Sequence, residues 1–108
     1  MRVYVSVPIS GRDINDAKKQ AESVKNILSH AGHDVITPFD VVPNPPSIPE
    51  KEQYAYCMGK DIEALLTCDA VALCEGWDKS KGCKAERMVA IIYGMKFLYN
   101  PYDKLYTL

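Results

Sequence analysis

No stretch of this 108-residue chain is long and apolar enough to span a bilayer, which excludes a transmembrane helix and any role that needs one. No charged and apolar leader precedes the first strand-like run, Val3-Tyr4-Val5, so a cytoplasmic location is expected. Charge of one sign is also missing. Thirteen Lys and Arg against fourteen Asp and Glu leave a net charge of −1, without the basic excess that a binder of polymeric nucleic acid needs. The four cysteines, Cys57, Cys68, Cys74 and Cys83, form no CxxC, and no histidine pair completes a zinc-like set. Reduced, mostly buried thiols and no metal site are expected. His30 and His33 suit the end of a first helix, where a cation complements the dipole. Neither a P-loop nor a GxGxxG fingerprint occurs, and no cofactor is expected.

What is present is an alternation of strand and helix patterns. Arg2 to Val7 alternates polar with β-branched and aromatic residues and predicts a strand, broken at Pro8. Asp13 or Asn15 then caps a helix with apolar positions Ala17, Ala21, Val24, Ile27, Leu28 and Ala31, closed by Gly32. Asp34 to Thr37 reads as a second strand. From Pro38 to Pro49, five prolines in twelve residues predict an extended loop without helix.

Helical spacing returns from Glu50 to Thr67, with Tyr54, Met58, Ile62 and Leu65 on the apolar stripe and Asp61 at its margin. Ala70 to Cys74 is a short apolar run suited to a buried strand. A helix over about Gly82 to Tyr93 and a strand over Lys96 to Tyr99 follow, then a tail. The order βαβαβαβ predicts one domain over residues 1–108, an α/β fold with a parallel sheet and helices on both faces. For a chain this small the flavodoxin-like (Rossmann-like) strand order 2-1-3-4 is the natural choice. Its switch point lies between strands one and three, where the loops Val7 to Arg12 and Glu75 to Lys81 meet at a crevice.

Glu86 falls near the start of the helix after strand three. A helix N-terminus holds a carboxylate as the anion, which suits a nucleophile, although first turns are rich in acids for the same dipole reason. Gly82, Cys83 and Ala85 beside it are small and leave room for a ligand. Asp61 stands eight residues before Asp69, a helical rise of roughly 12 Å. The five strand residues after Asp69 climb roughly 16 Å. Asp61 therefore arrives near the upper rim beside Glu86, either as a general acid with a raised pKa or as an ordinary solvated aspartate. Ser6, Ser10, Gly11, Arg12 and Ser80 supply hydroxyls, a flexible backbone and a guanidinium for a phosphate or carboxylate ligand, though turns favour Ser and Gly in any case. Trp77 either stacks on a base or covers the core edge.

Three segments together carry a family likeness: Tyr4-Val-Ser6-Val-Pro8-Ile-Ser10-Gly11-Arg12, Asp61 with Asp69, and Gly76-Trp77-Asp-Lys-Ser80-Lys-Gly82-Cys-Lys-Ala-Glu86. The chain resembles the nucleoside 2-deoxyribosyltransferase superfamily, above all its DUF4406 group, and more distantly the 2′-deoxynucleoside 5′-monophosphate N-glycosidases. The resemblance implies a flavodoxin-like fold and cleavage or transfer of the N-glycosidic bond of a small-molecule nucleoside or nucleotide. By carry-over, Glu86 attacks C1′, Asp61 protonates the leaving base and Tyr4 orients Glu86. Ser80 and the Ser10-Gly11-Arg12 turn resemble phosphate-binding elements, and Trp77, Asp78 and Gly82 join the substrate-binding set. Asp78 is displaced from the spacing of the additional acid that transferases carry. A homo-oligomer, dimer or higher, is implied as well. The competing expectation is a nucleotide-binding or sensing module of the same fold without turnover. A receiver-like protein is disfavoured because Val7-Pro8-Ile9 stands where its acidic cluster would lie.

Overall fold

A computed structural model describes residues 1–107. Four parallel strands, β1 (Arg2–Ser6), β2 (Asp34–Ile36), β3 (Ala70–Leu73) and β4 (Lys96–Tyr99), form one sheet in the order β2-β1-β3-β4. The expected strand order is thus observed. Val3 stands opposite Ala70 and Ser6 opposite Leu73, so β1 and β3 lie at the centre. Every residue of β3 is buried, as a central parallel strand with both faces covered requires.

The two-residue period of the strands sorts the core into two halves. Val3, Val5, Ala70, Ala72 and Leu98 pack against Ala21, Val24 and Leu28 of α1 (Ile14–His30). Tyr4, Val71, Leu73 and Phe97 face the other way, toward Leu65 of α3 (Glu50–Leu65) and Ala90 of α4 (Lys81–Ile92). Ser6, two residues after Tyr4, belongs by the same period to the α3/α4 side.

Asp13 caps α1, accepting from the backbone N–H groups of Asn15 and Asp16. Of the apolar positions expected on this helix, Ile27 and Ala31 are exposed, and the buried line is Ala17, Ala21, Val24 and Leu28. The proline segment is not wholly extended. Pro38–Val41 forms a one-turn helix, α2, because Pro38 sits at its first position, where the missing N–H costs nothing. Thr37 and Asp40 close a reciprocal capping box around it.

The inward face of α3 takes in Leu65, with Met58 and Ile62 half-buried, as expected, but it is centred nearer Asp61. Asp61 and Leu65 are its buried residues, continued by the half-buried Cys57 and Gln53, whereas Tyr54 is 46% exposed. Asp61 is therefore in the middle of the inward face, not at its margin. The tail folds back: Tyr106 and Phe97 exchange two backbone hydrogen bonds of 2.8 Å in an antiparallel bridge, covering part of the β4 edge. Among the described residues no helix is long and apolar enough to cross a membrane.

The α1 phase generates a direct prediction. Leu28→Ala should cost about 2–5 kcal/mol in denaturant unfolding, whereas Ile27→Ala next to it should cost under about 1 kcal/mol. Equal costs would contradict the assigned face.

Candidate active site

The site is built where β1 and β3 end. Cys74 continues β3 by donating its N–H to the Ser6 carbonyl, and the chain turns at Gly76 with φ +88°, a left-handed conformation that a side chain would strain. A short 3₁₀ turn, Trp77–Lys79, leads to Ser80, whose Oγ caps α4 by accepting from the Cys83 N–H. Counting from this cap, Glu86 lies in the second turn of α4 and no acid lies in the first. The helix terminus expected to hold its charge does not do so. That task falls to β1: the Tyr4 hydroxyl donates to Glu86 Oε2 and the Ser6 hydroxyl to Oε1, each at 2.7 Å. The Glu86 residue is 4% exposed, so these are its replacements for water.

Asp61 comes from α3, on the same side of the sheet. It is 8% exposed and its Oδ1 has no hydrogen-bond partner among the described residues. An unpaired buried carboxylate is costly, and a protonated carboxyl is far less so. Burial, and then the charge of Glu86, push the Asp61 carboxyl up to about 8. Burial also raises Glu86, to about 7, opposed by the hydrogen bonds from Ser6 and Tyr4. With two hydroxyl donors Glu86 is the carboxyl better held as the anion, and its charge favours the proton on Asp61. Burial and the two nearby acids raise Tyr4 well above the ordinary phenol value, which keeps its hydroxyl a donor.

Asp61 and Glu86 line one cavity of about 460 Å³. Ser10, Ser80 and Gly82 line it too, with Ile9, Met58 and Cys57 as apolar walls and Lys79 and Lys81 beside the start of α4. A second lobe of about 290 Å³ shares Asp61, Tyr54 and Cys57 with it and extends under the proline segment to Phe39, Val42 and Pro43. Its walls are largely apolar. Tyr54, Cys57 and Met58 were absent from the expected site, yet they stand seven, four and three residues before Asp61. Helical periodicity carried back from Asp61 would find them.

The other expected site residues are divided. Tyr4 and Ser6 lie beneath the cavity, bonded to Glu86, so Ser6 is not among the groups lining it. Gly11 makes the turn after Ser10 with φ +77° and does not line the cavity. Arg12 donates from one nitrogen to the Pro8 carbonyl and to Gln20, and lines an open groove that shares only Ser10, Lys79 and Ser80 with the cavity. Trp77 and Asp78, expected to touch the ligand, instead line a separate pocket with Tyr99 and Asn100. The Trp77 ring covers the core edge there, 5.0 Å from the Arg87 guanidinium and 6.0 Å from the Tyr99 ring. Among the described residues no three His, Cys, Asp or Glu side chains are grouped to hold a metal.

The family model described as Domain of unknown function (DUF4406) matches residues 1–99. A 2-deoxyribosyltransferase from the psychrotolerant bacterium Bacillus psychrosaccharolyticus superposes with a TM-score of 0.69 at 17% identity, over 92% of this chain and 71% of that one. The CMP N-glycosidase BcmB of Clostridium botulinum superposes with a TM-score of 0.56 at 22% identity, over 92% of this chain and 67% of that one. No curated protein matches. At these identities the structural likeness establishes the fold.

The two raised carboxyls make stability depend on pH with a defined sign. Both bind protons more tightly in the folded chain than at their ordinary values of 3.8 and 4.5. Their contribution is thus complete below about pH 4 and is lost as pH rises through about 7 to 8. Asp61→Asn cannot ionise, so its melting temperature relative to the natural chain should gain about 4 °C or more between pH 4 and pH 8.5. A difference independent of pH would contradict the buried, protonated state.

Proposed function

From the premise that this chain belongs to the DUF4406 family, we propose that it cleaves or transfers the N-glycosidic bond of a 2′-deoxynucleoside or its 5′-monophosphate through a covalent deoxyribosyl ester on Glu86. The observation that carries this reading is the pair itself. Two buried carboxyls face one cavity, one pinned by two hydroxyls and the other with an unpaired oxygen. Two structural neighbours, one named a 2-deoxyribosyltransferase and one a CMP N-glycosidase, support the same class of bond.

In this reading the sugar lies between Asp61 and Glu86. A carboxylate oxygen of Glu86 attacks C1′ as the C1′–N bond breaks, and the electron pair leaves on the base, which takes the proton of Asp61. The missing 2′-hydroxyl eases the oxocarbenium-like transition state by removing an electron-withdrawing group. In the second half Asp61, now ionised, takes a proton from water or from an incoming base, which attacks C1′ and releases Glu86. Water makes the protein a hydrolase and a second base makes it a transferase.

The apolar lobe beyond Asp61 suits a flat base. Ser10, Ser80, Lys79, Lys81 and the backbone N–H groups opening α4 suit a 5′-phosphate. The chemistry uses two carboxyls and requires no cofactor. A homo-oligomer belongs to the reading, with a second copy covering the cavity wall at the half-exposed Tyr54, and the cytoplasm is its setting.

The test is release of free base from a panel of deoxynucleosides and their monophosphates. Glu86→Gln should reduce the rate by about 10³-fold or more. Asp61→Asn should reduce it by about 10²- to 10⁴-fold and be rescued by a base that departs without protonation. Activity needs Glu86 ionised and Asp61 protonated, so kcat/KM should follow a narrow bell with its maximum between about pH 7 and pH 8. Equal rates for the natural chain and Glu86→Gln would overturn the reading. Nucleotide binding without any base release would favour a sensing module.

A further inference from the structure

One hydroxyl suffices to orient a carboxylate, and Glu86 has two. Tyr4 and Ser6 stand two residues apart on β1, on the same face, and reach different oxygens of the carboxylate at the same 2.7 Å. Ser6 is fully buried, does not line the cavity and is held on the central strand of the sheet. Its hydroxyl donates to Glu86, with the Cys83 thiol beside it, and touches no ligand in the cavity directly. Resting on the reading of Glu86 as the nucleophile, we propose that Ser6 is a positioning residue that governs how fast the deoxyribosyl–Glu86 ester breaks down.

The reason is the difference between an ester and a carboxylate as hydrogen-bond acceptors. While the sugar is attached, the Glu86 carboxyl carries no net charge, and the hydroxyls of Ser6 and Tyr4 meet a weak acceptor. In the breakdown step the acceptor oxygen or nitrogen bonds to C1′, its proton passes to Asp61, and the C1′–O bond to Glu86 breaks. That electron pair returns to Glu86, whose full negative charge then meets two donors already in place. Hydrogen bonds to an ion are about twice as strong as neutral ones, so both hydroxyls favour the released carboxylate over the ester. They lower the basicity of Glu86 and make it a better leaving group. Tyr4 alone would still fix the carboxyl in space; the second donor adds charge stabilisation from a fully buried side chain.

Ser6→Ala and Ser6→Thr separate this from a packing effect, since threonine keeps the hydroxyl. The Glu86 carboxyl is titrated by ¹³C NMR, assigned with Glu86→Gln, and ester lifetime is followed by intact mass after mixing with a deoxynucleoside 5′-monophosphate. In Ser6→Ala the Glu86 midpoint should rise by about one pH unit and the ester should persist about three- to tenfold longer. Ser6→Thr should restore both. An unmoved midpoint overturns the proposal without reference to any substrate, and so does an unchanged lifetime in a protein that forms the ester. A chain that forms no ester and releases no base from any deoxynucleotide overturns the reading of the site and this proposal with it. A moved midpoint would then remain as a plain electrostatic property of Glu86.

Discussion

The structure depends on a buried carboxylate held by the central strand of its sheet. Removing Glu86 from water has a large desolvation cost, and Tyr4 and Ser6 offset it with two short hydrogen bonds from one face of β1. Those bonds need the second turn of α4 within side-chain reach of β1, and the 3₁₀ turn and the Ser80 cap set where that helix begins. A second buried carboxyl beside it resists ionisation, because burial and the charge of Glu86 both favour its protonated form. The unpaired Oδ1 of Asp61 and its raised pKa express that resistance. The polarity of the pair, anion on one side and acid on the other, follows from which carboxyl has hydroxyl partners.

The two faces of the sheet divide the labour. The α1 side, with Val3, Val5, Ala72 and Leu28, is apolar packing. The α3/α4 side gives up part of its core to Tyr4, Ser6, Asp61 and Glu86, all buried. Its cavity opens at the switch point between β1 and β3, where an open α/β sheet leaves a crevice because the crossovers diverge. The proline segment then adds a further wall. The one-turn helix at Pro38, fixed by Thr37 and Asp40, gives that wall a defined shape, and Lys25 ties it to α1 through a 3.0 Å ion pair with Asp40.

Much of this is legible in the sequence for identifiable reasons. The strand order follows from four apolar runs separated by helix-length crossovers, and Asp61 and Glu86 follow from the rise of a helix set against the climb of a strand. Two misplaced features, Asp61 and Ser6, share a cause: a polar side chain reads as outward or ligand-facing from sequence alone. On α3 the inward face includes the polar Gln53 and Asp61 beside Leu65, so hydrophobicity alone centres it too far toward Tyr54, which is exposed. Ser6 stands near the end of the first strand, just before a turn, and reads as a ligand group, although strand alternation places it on the Tyr4 face, where a buried acid needs it. Glu86 reads as a first-turn residue because the true cap, Ser80, is separated from the preceding strand by a 3₁₀ turn without a sequence signature of its own. Trp77 gives no local sign of which way it packs; Arg87 and Tyr99, distant along the chain or on another element, decide it.

The most direct test of the account is to locate the covalent bond. The protein is mixed with a deoxynucleoside 5′-monophosphate, quenched in acid, digested and mapped by mass spectrometry. The account predicts a deoxyribosyl increment on the peptide that contains Glu86, absent in Glu86→Gln. An increment carried by any other residue, or one that survives in Glu86→Gln, would contradict it.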